Sequence, residues 1–267
     1  EVPLDKIISA MASKETRKVV LGFTPNDKAF FDENIAKRIV SEHGKVDLFI
    51  SCNSFAHIDN MHAVMAGMRV SMKDNALGII EVHYCKKVFT ERQFDFVYHE
   101  HMSYYTANSM KYLVEKGLGM HVENIELISA QGCSMRVFIK NHPPCQSSNS
   151  SLKALLNDET ELVSMHIYKQ FHSEVDLWRR EMKECIELCV ESCKSDLIIY
   201  GYGASGRANT LCALYPFQFQ KVIDDAPSKV GRFMPKHRWP IIDASEIVEH
   251  PPNIIVILVW PYAEEIM

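Results

Sequence analysis

The sequence lacks three features that would each assign it to a class of proteins. No apolar stretch reaches the roughly 18 residues of a membrane-spanning helix, and the first residues do not have the pattern of a signal peptide. Clusters of Lys and Arg are absent and the formal net charge is −5, which argues against nucleic-acid and anionic-membrane partners. The eight cysteines are scattered and do not form a disulfide scaffold, so we expect free thiols in a reducing cytoplasm.

Apolar runs alternate with amphipathic stretches along the chain, and this alternation predicts an α/β protein. In the first half, helices are predicted at residues 30–43, 60–72 and 109–116, and strands at 46–52, 77–82, 120–128 and 134–140. The last two strands are joined by a short connection that contains Gly132, which favours an antiparallel hairpin. We therefore expect a mostly parallel sheet that ends in this hairpin.

A segment rich in Pro, Ser and Asn, residues 141–151, is the best candidate for a linker. After it, the sequence predicts a charged helical region at 152–193, strands at 196–200, 221–225 and 253–260, and a helix at 207–215. We expect two domains, 1–145 and 146–267, of which the second is an α/β domain with a helical lead-in. The sequence carries no signal for an oligomeric state.

The first candidate for chemistry is the segment Tyr98-His99-Glu100-His101, with Tyr104 close behind. A histidine side chain has a pKa of about 6.5 in water, so it can remove or return a proton near neutral pH. A neighbouring carboxylate can orient the imidazole or stabilise its charged form. The alternative is a polar loop in which the histidines coincide by chance.

Polar residues also follow two of the predicted buried strands. Asn53, Ser54 and His57 come directly after the strand at 46–52, and Glu81 lies at the end of the next one. In open α/β sheets, ligands bind outside the carboxyl ends of the strands. These residues are therefore candidates for ligand binding, although His57 and Glu81 fit a purely structural role equally well.

A glycine-rich turn between a predicted strand and helix is formed by Gly201, Gly203 and Gly206. Such turns let a ligand approach the backbone, and the amides at the start of the helix attract an anion. Ser205 and Arg207 would add a hydroxyl and a charge suited to phosphate. Asp224 or Asp225 lies about 20 residues further on, where a ribose-binding carboxylate is expected. The alternative is a tight crossover that binds nothing.

A metal site is not expected in this chain. Cys185, Cys189 and Cys193 are spaced four apart, which places them along one face of a helix. A straight helix offers neither a fourth ligand nor the loop geometry of a structural zinc site, so we interpret these cysteines as part of an apolar stripe.

Several segments together resemble one known family. They are NSFAHIDN (53–60), GIIEV (78–82), FDFVYHEHMSYY (94–105), GCSMR (132–136), YGYGASGRANTL (200–211), IDDAPSKVGRFMP (223–235) and WPI (239–241). In this order, they resemble the sugar C-methyltransferases that act on nucleotide-linked deoxysugars, over nearly the whole chain from about residue 45. The Tyr-His-Glu-His segment together with GYGASGRANT is the most specific part of the resemblance.

The resemblance implies a partial class I methyltransferase Rossmann-like domain that binds S-adenosylmethionine, followed by a second Rossmann-like domain. The implied substrate is a nucleotide-diphosphate 4-keto sugar, which loses the proton on the carbon next to the ketone and is methylated there as an enolate. His101 is implied as the base, Tyr98 and His57 as donors to the keto oxygen or positioning groups, and Glu100 as a group that orients a histidine or holds the sugar.

The remaining site residues are carried over in the same way. Asn53, Ser54 and Glu81 are implied to line the pocket of the methyl donor. The implied sugar-nucleotide residues are Tyr104, Arg136, Gly203, Ser205, Gly206, Arg207 and Asp224.

The sequence departs from the family pattern in several places. The family's cysteine-rich zinc module is absent, as are the glycine-rich turn and acidic residue that grip the methyl donor, so zinc is expected only in a missing N-terminal module. His83 stands where the family usually has Pro, and Gln131 precedes a single Gly where two are usual. We therefore expect a chain that is incomplete at both ends.

Two other functions remain open at this point. One is a nicotinamide-dependent sugar-nucleotide oxidoreductase or epimerase that uses the GYGASG turn, although no Tyr-x-x-x-Lys pair accompanies it. The other is a sugar-nucleotide-binding module that no longer methylates, because the donor-binding turn is missing.

Overall fold

The computed structural model describes residues 19–21, 30–146, 149–192, 197–214 and 217–267. Its strands are β1 Val19–Leu21, β2 Val46–Cys52, β3 Met72–His83, β4 His121–Ile128, β5 Ser134–Lys140, β6 Ile199–Tyr202, β7 Lys221–Ile223, β8 Ile241–Ile242 and β9 Ile254–Ile257. Its helices are α1 Glu33–His43, α2 Met61–Ser71, α3 Cys85–Thr90, α4 Ala107–Tyr112, α5 Ser150–Asp158, α6 Met165–Ser192, α7 Gly206–Leu214, α8 Glu246–Glu249 and α9 Ala263–Ile266. The predictions made for residues 1–17 and for Cys193 lie outside the described residues.

The chain divides into two compact units. The first runs up to Lys86 and resumes at Glu100–Ser164, and the second comprises Lys87–His99 and Met165–Met267. This division differs from the one expected from the sequence, which has a single boundary after residue 145. Helix α5 lies in the first unit because its Leu152 packs into that unit's core. The segment around Phe94 lies in the second unit because the Phe94 ring packs against Trp178, with ring centroids 5.1 Å apart.

The first unit is built on a five-stranded sheet in the order β1-β2-β3-β5-β4. Strands β1, β2 and β3 run parallel, whereas β5 is antiparallel to both β3 and β4. The predicted hairpin is thus confirmed, and it ends a sheet in which four of the five strands run in the same direction, as expected for a mostly parallel sheet. In the register of β2 and β3, Cys52 pairs with Glu81, so both strands end at the same edge of the sheet.

Helix α4 begins on a buried carboxylate that comes from a distant part of the first unit. Glu159 accepts hydrogen bonds from the backbone N–H of Ala107 (2.6 Å) and from both the backbone and the side-chain amide of Asn108 (2.9 and 2.8 Å). The Glu159 side chain is almost fully enclosed. A negative charge at a helix N-terminus is stabilised by the unpaired amides and the helix dipole. Through these hydrogen bonds, Glu159 connects the start of α4 to the segment that follows α5.

We expect the Glu159→Gln variant to lower the free energy of unfolding by about 2–3 kcal/mol. The amide removes the charge and turns an NH₂ group toward donors that need an acceptor, and hydrogen bonds to charged groups contribute about 1.5–3 kcal/mol. Urea denaturation followed by circular dichroism measures the change. Glu161→Gln is the matched control, because Glu161 is exposed and pairs with Lys86 at 3.1 Å, and it should lose less than about 1 kcal/mol. Equal losses in both variants would contradict the role of Glu159.

The second unit is built on a four-stranded parallel sheet in the order β8-β7-β6-β9. The glycine-rich turn joins β6 to α7, as predicted, and β8 is a short strand that the sequence pattern did not indicate. Parallel strands with a connecting helix and a turn at the carboxyl end of β6 form the second Rossmann-like unit. The predicted fold class, α/β with two such units, is confirmed.

The helical region predicted at 152–193 is divided between the two units. A 3₁₀ turn, Thr160–Val163, separates α5 from α6, and Leu162 is buried at this turn. Along α6, five partly buried side chains at helical spacing pack against the core of the second unit: Phe171, Val175, Trp178, Met182 and Ile186. This stripe on one face holds α6 against the second sheet.

Candidate functional site

In the first unit, the chain turns sharply where β2 ends. Asn53 adopts a left-handed backbone conformation with φ of 50°, which asparagine tolerates better than most residues, and its N–H donates to the Glu81 carbonyl (2.9 Å). The Asn53 side chain is exposed, and the hydroxyls of Ser51 and Ser54 lie 2.5 Å apart. The turn therefore presents Asn53 beyond the carboxyl end of the strand, where the sequence predicted a ligand-binding residue.

Two histidines lie side by side next to this turn. The ring centroids of His57 and His101 are 4.9 Å apart, with an interplanar angle of 65°. Backbone hydrogen bonds fix the two segments together, because the N–H of Met102 donates to the Ala56 carbonyl (2.7 Å). The pair is thus held by the backbone of a 3₁₀ turn, Phe55–His57, in which Phe55 and Ala56 are buried.

The hydrogen bonding of His57 determines which of its nitrogens carries a proton. Nδ1 lies 2.9 Å from the carbonyl oxygen of Glu100, and a carbonyl can only accept. Nδ1 is therefore the protonated nitrogen, and Nε2 of the neutral ring is an acceptor. His57 can donate from Nε2 only after it has taken up a proton. The Tyr104 ring lies 6.1 Å from the His101 ring.

Glu81 and Arg136 form an ion pair across β3 and β5. The two residues are direct partners in the antiparallel register, and Arg136 Nε lies 2.7 Å from Glu81 Oε2. The Glu81 side chain is largely buried and that of Arg136 is about one-third exposed. Burial, with the Glu81 charge as the second cause, raises the pKa of the neighbouring Cys52 thiol. Glu81, predicted to bind the methyl donor, is therefore already engaged by Arg136, which was predicted to bind the sugar nucleotide.

In the second unit, the glycine-rich turn is shaped by close packing. A Cβ on Gly203 would come within 2.6 Å of both Val259 methyl groups, and the φ of Gly203 is +99°. A Cβ on Gly206 would lie 3.3 Å from the Tyr98 ring. Ser205 caps α7, because its hydroxyl accepts the Ala208 N–H (3.1 Å). A glycine is thus required at position 203 because Val259 leaves no space for a side chain. At Gly206, the glycine-rich turn contacts the Tyr98 ring.

Arg207 is buried beside an aspartate and two aromatic rings. Its Nε and Nη2 lie 2.8 and 2.5 Å from Oδ2 of Asp95, and the Trp260 indole N–H donates to the same oxygen (3.1 Å). The guanidinium carbon lies 3.6 Å from the centre of the Phe96 ring. Asp95 and Trp260 were not among the predicted site residues. The only sequence signal for Asp95 was a charged residue between two phenylalanines, which indicates a buried carboxylate that needs a partner.

Asp224 is largely occupied by the protein's own hydrogen-bond donors. Its carboxylate accepts the N–H of Ala204 (2.8 Å) and of Ala226 (3.0 Å) and the Lys229 ammonium (2.9 Å). Its neighbour Asp225 is exposed and accepts a hydrogen bond from the Tyr202 hydroxyl (2.7 Å), which raises the pKa of Tyr202 to about 12. Asp224 thus stabilises the glycine-rich turn through the Ala204 N–H. Asp225, the second residue after β7, is the carboxylate that faces solvent.

Three further findings concern the parts of the chain that the structure describes. They contain no group of three or more His, Cys, Asp or Glu side chains arranged to hold a metal ion. None of their helices is both long and apolar enough to cross a membrane. None of the seven cysteines in these parts forms a disulfide bond with another described cysteine.

The protein family described as "C-methyltransferase C-terminal domain" matches residues 129–267 of the chain. These residues include β5 and almost all of the second unit. The chain belongs to this family. C-methyltransferase NovU of Streptomyces niveus is 26% identical over 244 residues, which are 90% of this chain and 57% of that protein. The chain therefore spans little more than half the length of this curated relative.

Two solved structures overlap weakly with the chain. Magnesium protoporphyrin IX methyltransferase (ChlM) of Synechocystis PCC 6803 is 11% identical, with a TM-score of 0.28 over 36% of this chain and 45% of that one. Phosphoethanolamine N-methyltransferase 2 of Haemonchus contortus is 12% identical, with a TM-score of 0.32 over 83% of this chain and 55% of that one. The resemblance to C-methyltransferases is confirmed by the family match.

One departure from the family pattern has a visible structural effect. Cys133 stands where the resemblance places a second glycine, and its φ is 102°, a value that strains any residue with a Cβ. Cys133 also packs against the core of the first unit, and its carbonyl accepts the Tyr84 N–H (3.2 Å). The chain thus keeps a glycine-like backbone at a residue that is not glycine.

We expect Cys133→Gly to be more stable than Cys133→Ala, by about 1–2 kcal/mol. Both variants lose the sulfur, but only alanine retains the Cβ that strains the backbone, and such strain costs about 1–3 kcal/mol. At an ordinary position the order is reversed, because glycine costs more conformational entropy. Thermal unfolding of the two variants side by side measures the difference, and a more stable alanine variant would show that Cys133 is unstrained.

Proposed function

We propose that the protein transfers a methyl group from S-adenosylmethionine to a carbon next to the ketone of a nucleotide-diphosphate keto-deoxysugar. Membership of the C-methyltransferase family supports carbon as the acceptor. The observation that carries the proposal is the His57–His101 pair, held next to the end of β2 by backbone hydrogen bonds. A carbon acid of this kind needs a base held beside it, and an imidazole is suited to the task near neutral pH.

His101 is the base in this proposal. Its imidazole takes the proton from the carbon next to the ketone, and the electrons of the broken C–H bond move into the enolate, with charge on the former keto oxygen. His57 is fixed by the Glu100 carbonyl with Nε2 as an acceptor, so it supports this step by orienting groups and donates only in its protonated form. Bound S-adenosylmethionine supplies a methyl group on a positively charged sulfur, which leaves as a neutral thioether when the new C–C bond forms.

The second unit holds the sugar nucleotide in this proposal. The α7 helix begins at Gly206 after a turn whose tightness is enforced by Gly203, and the N-terminal amides of a helix attract a diphosphate. The Tyr98 ring lies against Gly206 and presents a phenol for the keto oxygen or the sugar. Asp225, rather than Asp224, has carboxylate oxygens available for a ribose, because those of Asp224 are already engaged.

Of the three residues predicted to bind the methyl donor, two are placed to contact it in this proposal. Asn53 and Ser54 lie beyond the carboxyl end of β2, where the donor is expected in an α/β sheet. The Glu81 carboxylate is paired with Arg136 and is available to a ligand only together with that arginine. We therefore assign donor contacts to Asn53 and Ser54 and a supporting role to Glu81. Zinc in a separate N-terminal module and a location in the reducing cytoplasm stay predictions.

Isothermal titration calorimetry with three ligands tests the assignment of the substrate. The ligands are a nucleotide-diphosphate 4-keto-deoxysugar, the nucleotide diphosphate without sugar, and NAD. We expect the sugar nucleotide to bind at least about tenfold more tightly than the nucleotide diphosphate, a difference that corresponds to about 1.4 kcal/mol from contacts to the sugar. We expect NAD not to compete with the sugar nucleotide.

Two results would contradict the proposal. Tight NAD binding with hydride transfer to or from the sugar would favour the oxidoreductase or epimerase. Sugar-nucleotide binding with neither proton exchange nor methyl transfer in the full-length protein would favour a binding module without catalytic activity.

A further inference from the structure

The guanidinium of Arg207 is already neutralised inside the second unit. Its Nε and Nη2 are directed at one carboxylate oxygen of Asp95, which is itself almost fully buried. The Arg207 side chain is 14% exposed and that of Asp95 is 4% exposed. A buried pair of opposite charges has little net attraction for a third charge, because the near carboxylate cancels the field of the cation. Arg207 is therefore poorly suited to be a phosphate ligand.

The surroundings of the pair also restrict Arg207. The Phe96 ring covers the guanidinium, whose carbon lies 3.6 Å from the ring centre, and the Trp260 ring centre lies 5.3 Å away. The Trp260 N–H donates to the same Asp95 oxygen that accepts from Arg207. Planar stacking and paired N–H donors are properties of arginine that lysine does not share. The arrangement therefore depends on the shape of the guanidinium as well as on its charge.

The pair joins two segments that carry site residues. Asp95 and Phe96 lie in the 3₁₀ turn Phe94–Phe96, two residues before Tyr98, and Arg207 directly follows Gly206 in α7. The segment ahead of Tyr98 is thus fastened to the first turn of α7, where the Tyr98 ring lies over Gly206. A break in the ion pair would release the backbone on which Tyr98 is carried.

We infer that Asp95 and Arg207 are positioning residues, whose buried ion pair holds the Tyr98 phenol at the start of α7. This inference rests on the proposed function, in which Tyr98 contacts the sugar. It replaces the phosphate contact predicted for Arg207 by a structural link to Asp95. A displacement of about 1 Å at a reacting group costs about 10²-fold in rate, so loss of the pair acts on turnover more than on binding.

The test measures exchange of the sugar's proton next to the ketone with deuterium from solvent, a step that forms the enolate without methyl transfer. The variants are Arg207→Lys, which keeps the charge, and Asp95→Asn, which removes the partner. We expect both to lower the maximal exchange rate by about 30- to 100-fold, with less than a threefold change in the KM for the sugar nucleotide. The control is Glu174→Gln, which removes the exposed Arg92–Glu174 pair (3.2 Å) of the same unit and should leave exchange within twofold.

A phosphate contact gives the opposite pattern. If Arg207 binds the diphosphate, Arg207→Lys keeps most of the rate, and Asp95→Asn frees the cation and lowers KM. Either result would overturn the inference.

A second readout does not depend on catalysis. Amide hydrogen exchange of residues 94–98 should rise at least about tenfold in Arg207→Lys and stay unchanged in Glu174→Gln. Unchanged protection in Arg207→Lys would overturn the inference even if the wild-type protein proved inactive toward keto sugars. Absence of proton exchange in the wild-type protein, by contrast, would overturn the proposed function and leave the amide result to decide the role of the pair.

Discussion

The His101→Ala variant is expected to lose at least about 10²-fold in the rate of solvent exchange at the carbon next to the ketone. Removal of a positioned general base typically costs about 10²–10⁴-fold, and no other described group of the first unit replaces the His101 ring beside His57. Binding of the methyl donor should stay within about threefold of the wild type, because the donor contacts are assigned to Asn53 and Ser54. Nuclear magnetic resonance of the sugar nucleotide in deuterated buffer follows the exchange.

The matched control for this variant is His99→Gln, a neighbour in the same Tyr-His-Glu-His segment to which no role is assigned. It should exchange within about twofold of the wild type. The His57→Gln variant separates the two members of the histidine pair. Normal exchange in His101→Ala together with loss of exchange in His57→Gln would make His57 the base, with its unprotonated Nε2 as the accepting atom.

The Gly203→Ala variant is expected to lose about 3–5 kcal/mol of stability, a large loss for the addition of one methyl group. Its backbone conformation, φ of +99°, costs about 1–3 kcal/mol for a residue with a Cβ. In addition, the new Cβ would come within 2.6 Å of both methyl groups of Val259, and forced packing costs about 1–3 kcal/mol. Chemical denaturation monitored by tryptophan fluorescence reports on the second unit, which contains Trp260.

Gly231→Ala isolates the backbone part of this effect. Gly231 has a φ of +79°, but nothing lies within 4 Å of the position of an added Cβ. Backbone strain alone should therefore lower the stability of this variant, by about 1 kcal/mol. The difference between the two variants measures the close packing of Gly203 on Val259. Equal losses would show that the packing at the glycine-rich turn is loose and that Gly203 leaves space for a ligand instead.

The sequence was sufficient to predict elements that have strong local signals. The buried strand Val46–Cys52 was predicted with its observed bounds, because an apolar run of this length is a local property. The hairpin of β4 and β5 followed from two apolar strands and the turn at Gly132. The short strand Ile241–Ile242 was not predicted, because two residues are too few for a period.

The break between α5 and α6 shows why longer-range features escaped prediction. Residues 152–193 have continuous helical periodicity, but Leu162 is buried at a 3₁₀ turn and Glu159 is drawn to the start of α4. The contact of Glu159 joins residues that are 52 positions apart in the sequence. The helical pattern therefore could not show where the chain leaves one unit for the other.

The sequence predicted which residues lie at the candidate site, but only partly which partners those residues contact. The turn at Asn53 and the glycine-rich turn lie at strand ends, where the general rule for α/β sheets places ligands. The partners of Arg207 and Asp224 depend on the fold, since Asp95 is 112 residues from Arg207 in the sequence. Spacing identified a carboxylate about 20 residues after the glycine-rich turn, but it did not distinguish the engaged Asp224 from the exposed Asp225.

The central claim is that the protein forms a carbon–carbon bond next to the ketone of a sugar nucleotide. The most direct measurement uses the protein at its full natural length, S-adenosylmethionine labelled in the methyl group, and a nucleotide-diphosphate 4-keto-deoxysugar, with the product examined by nuclear magnetic resonance. We predict that the label appears on the carbon next to the ketone, with loss of one proton from that carbon. Label on an oxygen or a nitrogen, or an unlabelled sugar with reduced or oxidised nicotinamide, would contradict the account.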